Sequence, residues 1–168
     1  MLLLSQYEKI SYSVDWPRVR LDEILYDTIA LVKRIYTGIN VSLEFAYLPE
    51  NDLYLSIQGN DALLRSAFRN LIKNAFQYSE DKNVSIIIEA DRDFINIHFV
   101  NKGKVLAQSE QERLFIPFFR GENAMRKRGF GLGLSIVKRI ILLHKGAVSY
   151  TVASDDENRF TVSFGKQV

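Results

Sequence analysis

At 168 residues, with 47% hydrophobic and 12% aromatic content, the chain is long enough to close one core of ordinary domain size, which excludes a disordered segment. It has no cysteine, which excludes disulfides and thiolate metal sites and is compatible with a reducing cytoplasm, and its two histidines cannot make a zinc cluster alone. The net charge of +2 comes from basic residues spread along the chain, which gives no support to nucleic-acid binding, and no run approaches the ~20 apolar residues of a membrane helix.

In chain order, residues 2–12 (LLLSQYEKISY) have helix-compatible composition but no room for a core of their own. Trp16-Pro17 then breaks the pattern, because a residue before proline is pushed to extended geometry. From Asp22, the residues Ile24, Leu25, Thr28, Ile29, Leu31, Val32 and Ile35 recur at helical spacing and predict a first helix ending near Gly38. Residues 39–47 and 52–57 alternate as strands around a Pro49-Glu50-Asn51 turn. A second helix is predicted over 61–78, with Asn60 as its N-cap. Residues 84–89 and 94–100 read as a hairpin with its turn at 90–93.

The stretch 102–128 lacks sustained periodicity apart from a short helical piece at 109–114; a loop that long in a compact domain is usually functional or disordered. A third helix is predicted over 132–144, ended by Lys145-Gly146, and strands 147–152 and 160–164 form a closing hairpin over 154–158. This order predicts an α+β two-layer sandwich, a mixed β-sheet with three main helices on one face and a long loop over about 102–130.

Chemistry concentrates in a few segments. GFGLGLS, residues 129–135, reads as a glycine-rich turn opening the third helix, and the unpartnered amides of a helix start suit a phosphate. Taken alone, the same turn is equally a tight loop with close backbone packing. On the second helix Asn70 and Asn74 lie one turn apart, and Gln77 and Tyr78 continue the same face. That stripe borders the apolar positions Leu64, Phe68, Leu71 and Ala75, with Arg65, Arg69 and Lys73 on the solvent side. By periodicity alone the two amides fit caps for neighbouring backbone groups. Phe115, Phe118 and Phe119 read either as a core plug or as anchors of a lid, and Arg126, Lys127 and Arg128 as a solvated loop or as a phosphate-facing one.

Four segments, NLIKNAFQYS (70–79), VNKG (100–103), LFIPFFRGE (114–122) and GFGLGLS (129–135), resemble in order the N, G1, F and G2 boxes of the histidine kinase catalytic domain. That domain is a GHKL ATPase of the Bergerat fold. The resemblance runs from roughly residue 15 to the end, and its most specific parts are the N and G2 boxes. It implies a catalytic ATP-binding domain over 15–168 with an ATP lid over about 102–130, preceded at 1–14 by the remnant of a dimerisation and phosphoacceptor helix.

The same resemblance implies Mg²⁺ held by Asn74 with the assistance of Asn70, as hard neutral oxygens suit that ion. Tyr78 would pack near the ribose and phosphates, and Gln77 stands where lysine is frequent, which removes a positive charge. Asn101 stands where the family has an aspartate against the adenine amine, and it keeps a carbonyl oxygen for that amine. Gly103 keeps the first glycine of the G1 pattern, while Val105 replaces the second. The phosphates would meet backbone near Gly129, Gly131, Leu132, Gly133 and Leu134, with a hydroxyl from Ser135. Arg120 would point to the phosphates or to the partner helix, and Arg128 would close over the triphosphate.

By resemblance, then, the chain is the ATP-binding domain of a two-component sensor kinase, the cytoplasmic end of a membrane-bound bacterial sensor. Its γ-phosphate acceptor would be a histidine on a separate dimerisation domain, and a response regulator receiver domain would be the onward partner. This chain alone is expected to be a monomer and the full-length protein a homodimer. A degenerate nucleotide-binding module and a GHKL serine kinase or ATPase are the alternatives; against a hydrolase, residues 65–69 supply no carboxylate ahead of Asn70. His98 in a strand and His144 at a helix end both read as structural, with a cation favoured at the latter by the helix dipole.

Overall fold

The computed structural model describes residues 15–120 and 133–165. After Trp16-Pro17 the extended geometry continues into a strand that the sequence did not predict, β1 (Arg18–Arg20). Helix α1 (Leu21–Ile35) follows at once and buries Leu21, Ile24, Leu25, Thr28, Ile29 and Val32. Leu31 and Ile35, counted in the predicted stripe, are instead 41% and 52% exposed. Near the start of α1 the buried Asp22 carboxylate is paired with Arg20 at 2.7 Å.

Strand β2 (Asn40–Phe45) lies within the predicted 39–47 and is shorter, and residues 52–57 are not one strand. The Asn51 side chain accepts the Leu53 N–H at 2.9 Å and starts a single 3-10 turn, Asp52–Leu55, which turns Leu55 inward and leaves Leu53 out. The extended part is β3 (Ser56–Gln58), which pairs antiparallel with β1 in a separate two-stranded sheet.

Helix α2 (Asp61–Tyr78) matches its predicted bounds, and the Asn60 Oδ1 accepts the Leu63 N–H at 3.0 Å as its N-cap. Strands β4 (Asn83–Ala90) and β5 (Phe94–Lys102) form the predicted hairpin. A short helix α3 (Gln108–Gln111) lies in the long loop, and α4 (Gly133–Leu143) leads to β6 (Gly146–Ser154) and β7 (Glu157–Gly165).

The main sheet has the order β2-β4-β5-β7-β6, with β2 and β4 parallel and the other pairs antiparallel. Burial alternates along β4, β5 and β7, so Ile86, Ile88, Ile97, Phe99, Phe160 and Val162 share the covered face. Against them pack α1, α2 and α4, the expected two-layer sandwich, through residues such as Leu25, Phe68, Leu71, Val137 and Ile141. The opposite face is polar in large part; there His98 Nδ1 lies 2.9 Å from the Thr161 hydroxyl and Nε2 lies 3.4 Å from Glu89.

Two turns depart from expectation. The β6–β7 hairpin closes at residues 155–156 rather than over 154–158, so both strands are longer than predicted. Past α4 the left-handed residue is Lys145, at φ 58, although Gly146 was the natural candidate. Gly146 is committed elsewhere: a Cβ there would sit 2.6 Å from the Phe164 ring, so the position needs glycine for close strand packing.

Candidate functional site

The apolar stripe of α2 fixes the helix against the sheet and thereby turns its amide face toward α4 and the long loop. On that face Asn70, Asn74, Gln77 and Tyr78 are all half-buried, from the middle of the helix to its last residue. Asn70 Nδ2 donates to the Ser66 carbonyl one turn back at 2.8 Å, which leaves Oδ1 directed outward. A Cβ placed on Gly133 would be 3.2 Å from that Oδ1. The start of α4 therefore lies against the N-box helix, with only hydrogen on Gly133 between them. Leu134 packs its side chain on the core beside this contact, and Ser135 is half-buried one residue on.

At the other end of the same face, β5 delivers Asn101 and Gly103. Asn101 is 3% exposed and its Nδ2 donates to the Lys102 carbonyl at 3.4 Å, with Oδ1 as the side chain's acceptor. Gly103 touches the end of α2 so closely that a Cβ would overlap the Tyr78 carbonyl oxygen. The Glu80 N–H donates to the Lys102 carbonyl at 2.9 Å, which ties the two segments together. Burial raises the Tyr78 hydroxyl pKa, and the Arg120 charge partly offsets this. From Asn70 to Tyr78 the helix advances about 12 Å, at 1.5 Å per residue. A face of that length, with a glycine-started helix at one end and a buried amide at the other, suits an elongated ligand with a phosphate end and a base end.

Residues 59–167, which include all of α2 and everything after it, match the family model described as histidine kinase-, DNA gyrase B-, and HSP90-like ATPase. The chain belongs to this ATPase family. It lies on the histidine kinase side of it, as the ATP-binding catalytic domain. The heme sensor protein HssS of Staphylococcus epidermidis is 31% identical over 163 residues, which is 96% of this chain and 34% of that protein. The chain thus spans about a third of that relative. Among solved structures, a mycobacterial sensor histidine kinase, MprB, superposes with a TM-score of 0.77 at 22% identity, covering 90% of this chain and all of that one. The catalytic domain of histidine kinase ThkA gives 0.73 at 21% identity, covering 91% of this chain and 99% of that one.

Of the residues that the ATPase resemblance singled out, the structure brings together Asn70 with Gly133, and Tyr78 with Gly103. Arg128, Gly129, Gly131 and Leu132 lie outside the described residues, as do Arg126, Lys127 and the segment 1–14. The F-box aromatics do not act as one plug. Phe115 meets Phe160 edge-on at 6.3 Å, and Arg113 lies 4.6 Å over the Phe119 ring. Phe118 is 73% exposed at φ 63, so its ring is not buried against the core as Phe115 is.

His144 corrects the expectation of a helix-end cation. Its Nδ1 is 2.7 Å from the Ile140 carbonyl, and its Nε2 accepts the Asn60 N–H at 3.0 Å, which requires a neutral ring with the proton on Nδ1. Burial lowers its pKa, partly offset by the Ile140 bond. The ring also stacks with Trp16, centroids 4.3 Å apart. The structural role of His144 was expected, but its tie to Asn60 was not, and two residues of the family domain went unread in the sequence: Tyr150 and Asn158 beside the G1 turn. Asn158 carried a signal, being the polar member of an otherwise apolar alternation with Phe160, Val162 and Phe164.

Proposed function

We propose that this chain binds Mg-ATP along the α2 face and presents the γ-phosphate to a histidine on a separate dimerisation and phosphoacceptor domain. The observation that carries the reading is the approach of Gly133 to Asn70 Oδ1, which joins the N-box amides to the start of the phosphate-turn helix. Asn74 and Asn70 would hold the Mg²⁺, and the ion would supply charge neutralisation at the phosphates. The backbone at Gly133 and Leu134, with the Ser135 hydroxyl, would hold the phosphate chain, and Gln77 would flank it without a charge. Asn101 Oδ1 would accept from the adenine amine, with Gly103 and Tyr78 shaping the pocket around base and ribose.

Phosphoryl transfer asks for positioning and charge stabilisation more than for covalent participation, and Arg120, whose charge is felt at the Tyr78 hydroxyl, would contribute the latter. The phosphate on the acceptor histidine would pass to a response regulator receiver domain. Among the described residues no helix is long and apolar enough to cross a membrane. In the proposed setting the domain works on the cytoplasmic side of a bacterial sensor, as a monomer when alone and within a homodimer in the full-length protein.

Calorimetric titration with ATP, with and without Mg²⁺, beside Asn74→Ala tests the reading. Metal-sensitive binding at about micromolar to sub-millimolar Kd, lost in the variant, is the expected result. Absence of heat and of any ligand-induced rise in melting temperature at millimolar ATP would sink it. Where binding is found, labelled γ-phosphate supplied with a phosphoacceptor domain in trans tests the transfer itself.

A further inference from the structure

We infer that Tyr150 and Asn158 form a clamp that positions the G1 turn for the base of the nucleotide and couples that turn to the root of the lid. The inference rests on the proposed role of Asn101 and Gly103 at the base end of the ATP site. Both clamp residues come from the closing hairpin, on β6 and β7, outside every segment that carries the family resemblance.

The bonds form one directed chain. The Tyr150 hydroxyl accepts the Leu106 N–H at 3.1 Å and therefore spends its own proton on Asn158 Oδ1, at 2.6 Å. With Oδ1 so engaged, Asn158 Nδ2 is free to donate to two carbonyls, Gly103 at 3.2 Å and Lys104 at 3.4 Å. The Gly103 N–H donates to the Asp156 carbonyl at 2.7 Å, again on the closing hairpin. Residues 103–106 are thus held at four backbone groups by one neighbouring element. Asn158 is 5% exposed and pairs across the strands with Asn101, so its bonds lie in the low-dielectric layer under the base end.

The same clamp reaches the lid by two routes. The Leu106 carbonyl accepts from Gln111 Nε2 at 2.9 Å, at the end of α3. The Tyr150 ring packs on Phe160 at 5.2 Å, and Phe160 meets Phe115 of the F box. A shift of the turn must therefore be felt at α3 and at Phe115. Tyr150 and Asn158 act through loop backbone and are positioning residues for the reaction.

The test compares Mg-ATP with Mg-ITP, which bears a carbonyl where ATP bears the amine, by calorimetry on this chain. Tyr150→Phe keeps the ring on Phe160 and removes only the hydroxyl; Asn158→Asp keeps an acceptor for Tyr150 and removes the donor to the two carbonyls. Each is expected to lower the melting temperature without ligand, Asn158→Asp the more because its carboxylate would face two carbonyl oxygens, and to weaken ATP about tenfold and ITP less, so that the preference for ATP narrows. A lowered melting temperature with the ATP-to-ITP preference intact would overturn the clamp and leave both residues merely structural. Asn101→Ala separates the two layers of the claim. If it narrows the preference and the clamp variants do not, the clamp alone fails; if Asn101→Ala leaves the preference unchanged, the base-end reading fails and the clamp falls with it.

Discussion

At its start α2 is fastened by side chains, and at its end by close approach of backbone. Around Asn60 the donors are satisfied one by one: the Leu63 N–H by Asn60 Oδ1, the Asn60 N–H by His144 Nε2, and the Gly59 N–H by the Pro17 carbonyl at 3.0 Å. Trp16 stacks over the same imidazole, so the entering strand and the ends of two helices meet at one ring. Around Tyr78 the ties are made by backbone: Gly103 presses on the Tyr78 carbonyl, and the Glu80 N–H reaches the Lys102 carbonyl. The first end is complete in itself, because its polar groups use one another. The second sets a half-buried tyrosine and a buried amide beside an approach that only glycine permits, which is the form a ligand end takes. Foundation and site are thus separated by the length of one helix.

Gly103→Ala should break the comparison most severely. The added methyl overlaps a backbone carbonyl, which cannot rotate away as a side chain would, so the G1 turn and the end of α2 must part. A loss of about 3 kcal/mol in folding stability is expected from chemical denaturation, together with loss of measurable ATP binding by calorimetry. Retention of both would mean that the turn has slack and that its closeness to Tyr78 has no bearing on the site.

The opposite end is probed through His144. His144→Leu removes the acceptor for the Asn60 N–H and the donor to Ile140, and is expected to cost about 1–3 kcal/mol at neutral pH with ATP affinity unchanged. His144→Gln, which offers a neutral acceptor and donor, should recover part of it. The pH dependence follows in sign from the lowered pKa of the folded state. Between that value and the ordinary 6.5, the unfolded chain binds more protons, so stability from the neutral ring is complete above 6.5 and is lost as pH falls through the folded value. Denaturation midpoints measured from pH 8 down to pH 5 should show this decline in the unmodified chain and a shallower one in His144→Gln.

Legibility in the sequence differs along the same helix. The bounds of α2 were readable because a good cap, Asn60, and an apolar 3.6-residue period agree on one start. Residues 52–57 were misread because Leu53, Leu55 and Ile57 alternate as a strand would, while the local bond from Asn51 tightens the backbone into a single turn. Strand β1 is too short to carry a period at all. Motif spacing named Asn70 and Gly133 separately, but their contact depends on how α4 packs on α2, which spacing does not encode. Nor does the aperiodic stretch after Leu114 distinguish Phe118, which faces solvent, from Phe115, which packs on Phe160. His144 was read as structural, but with a cation favoured by the helix dipole, because the partner that keeps the ring neutral, the Asn60 N–H, is brought in by tertiary packing.

The smallest effect is expected from Asn60→Ala, and it is the sharpest test of whether the two ends are independent. The substitution removes the side-chain acceptor for Leu63 but keeps the backbone N–H that donates to His144. The expected cost is that of an N-cap, about 1 kcal/mol, read as a drop of a few degrees in melting temperature. Because the His144 tie survives, the decline of stability toward acid should keep its shape in this variant. ATP affinity should also hold, since Asn70, the amide that faces Gly133, lies more than two turns further along a helix that is still anchored by Leu64, Phe68 and Leu71. A parallel fall in affinity would show that fraying at Asn60 reaches Asn70 and Asn74, and the start of α2 would then belong to the site rather than to its foundation.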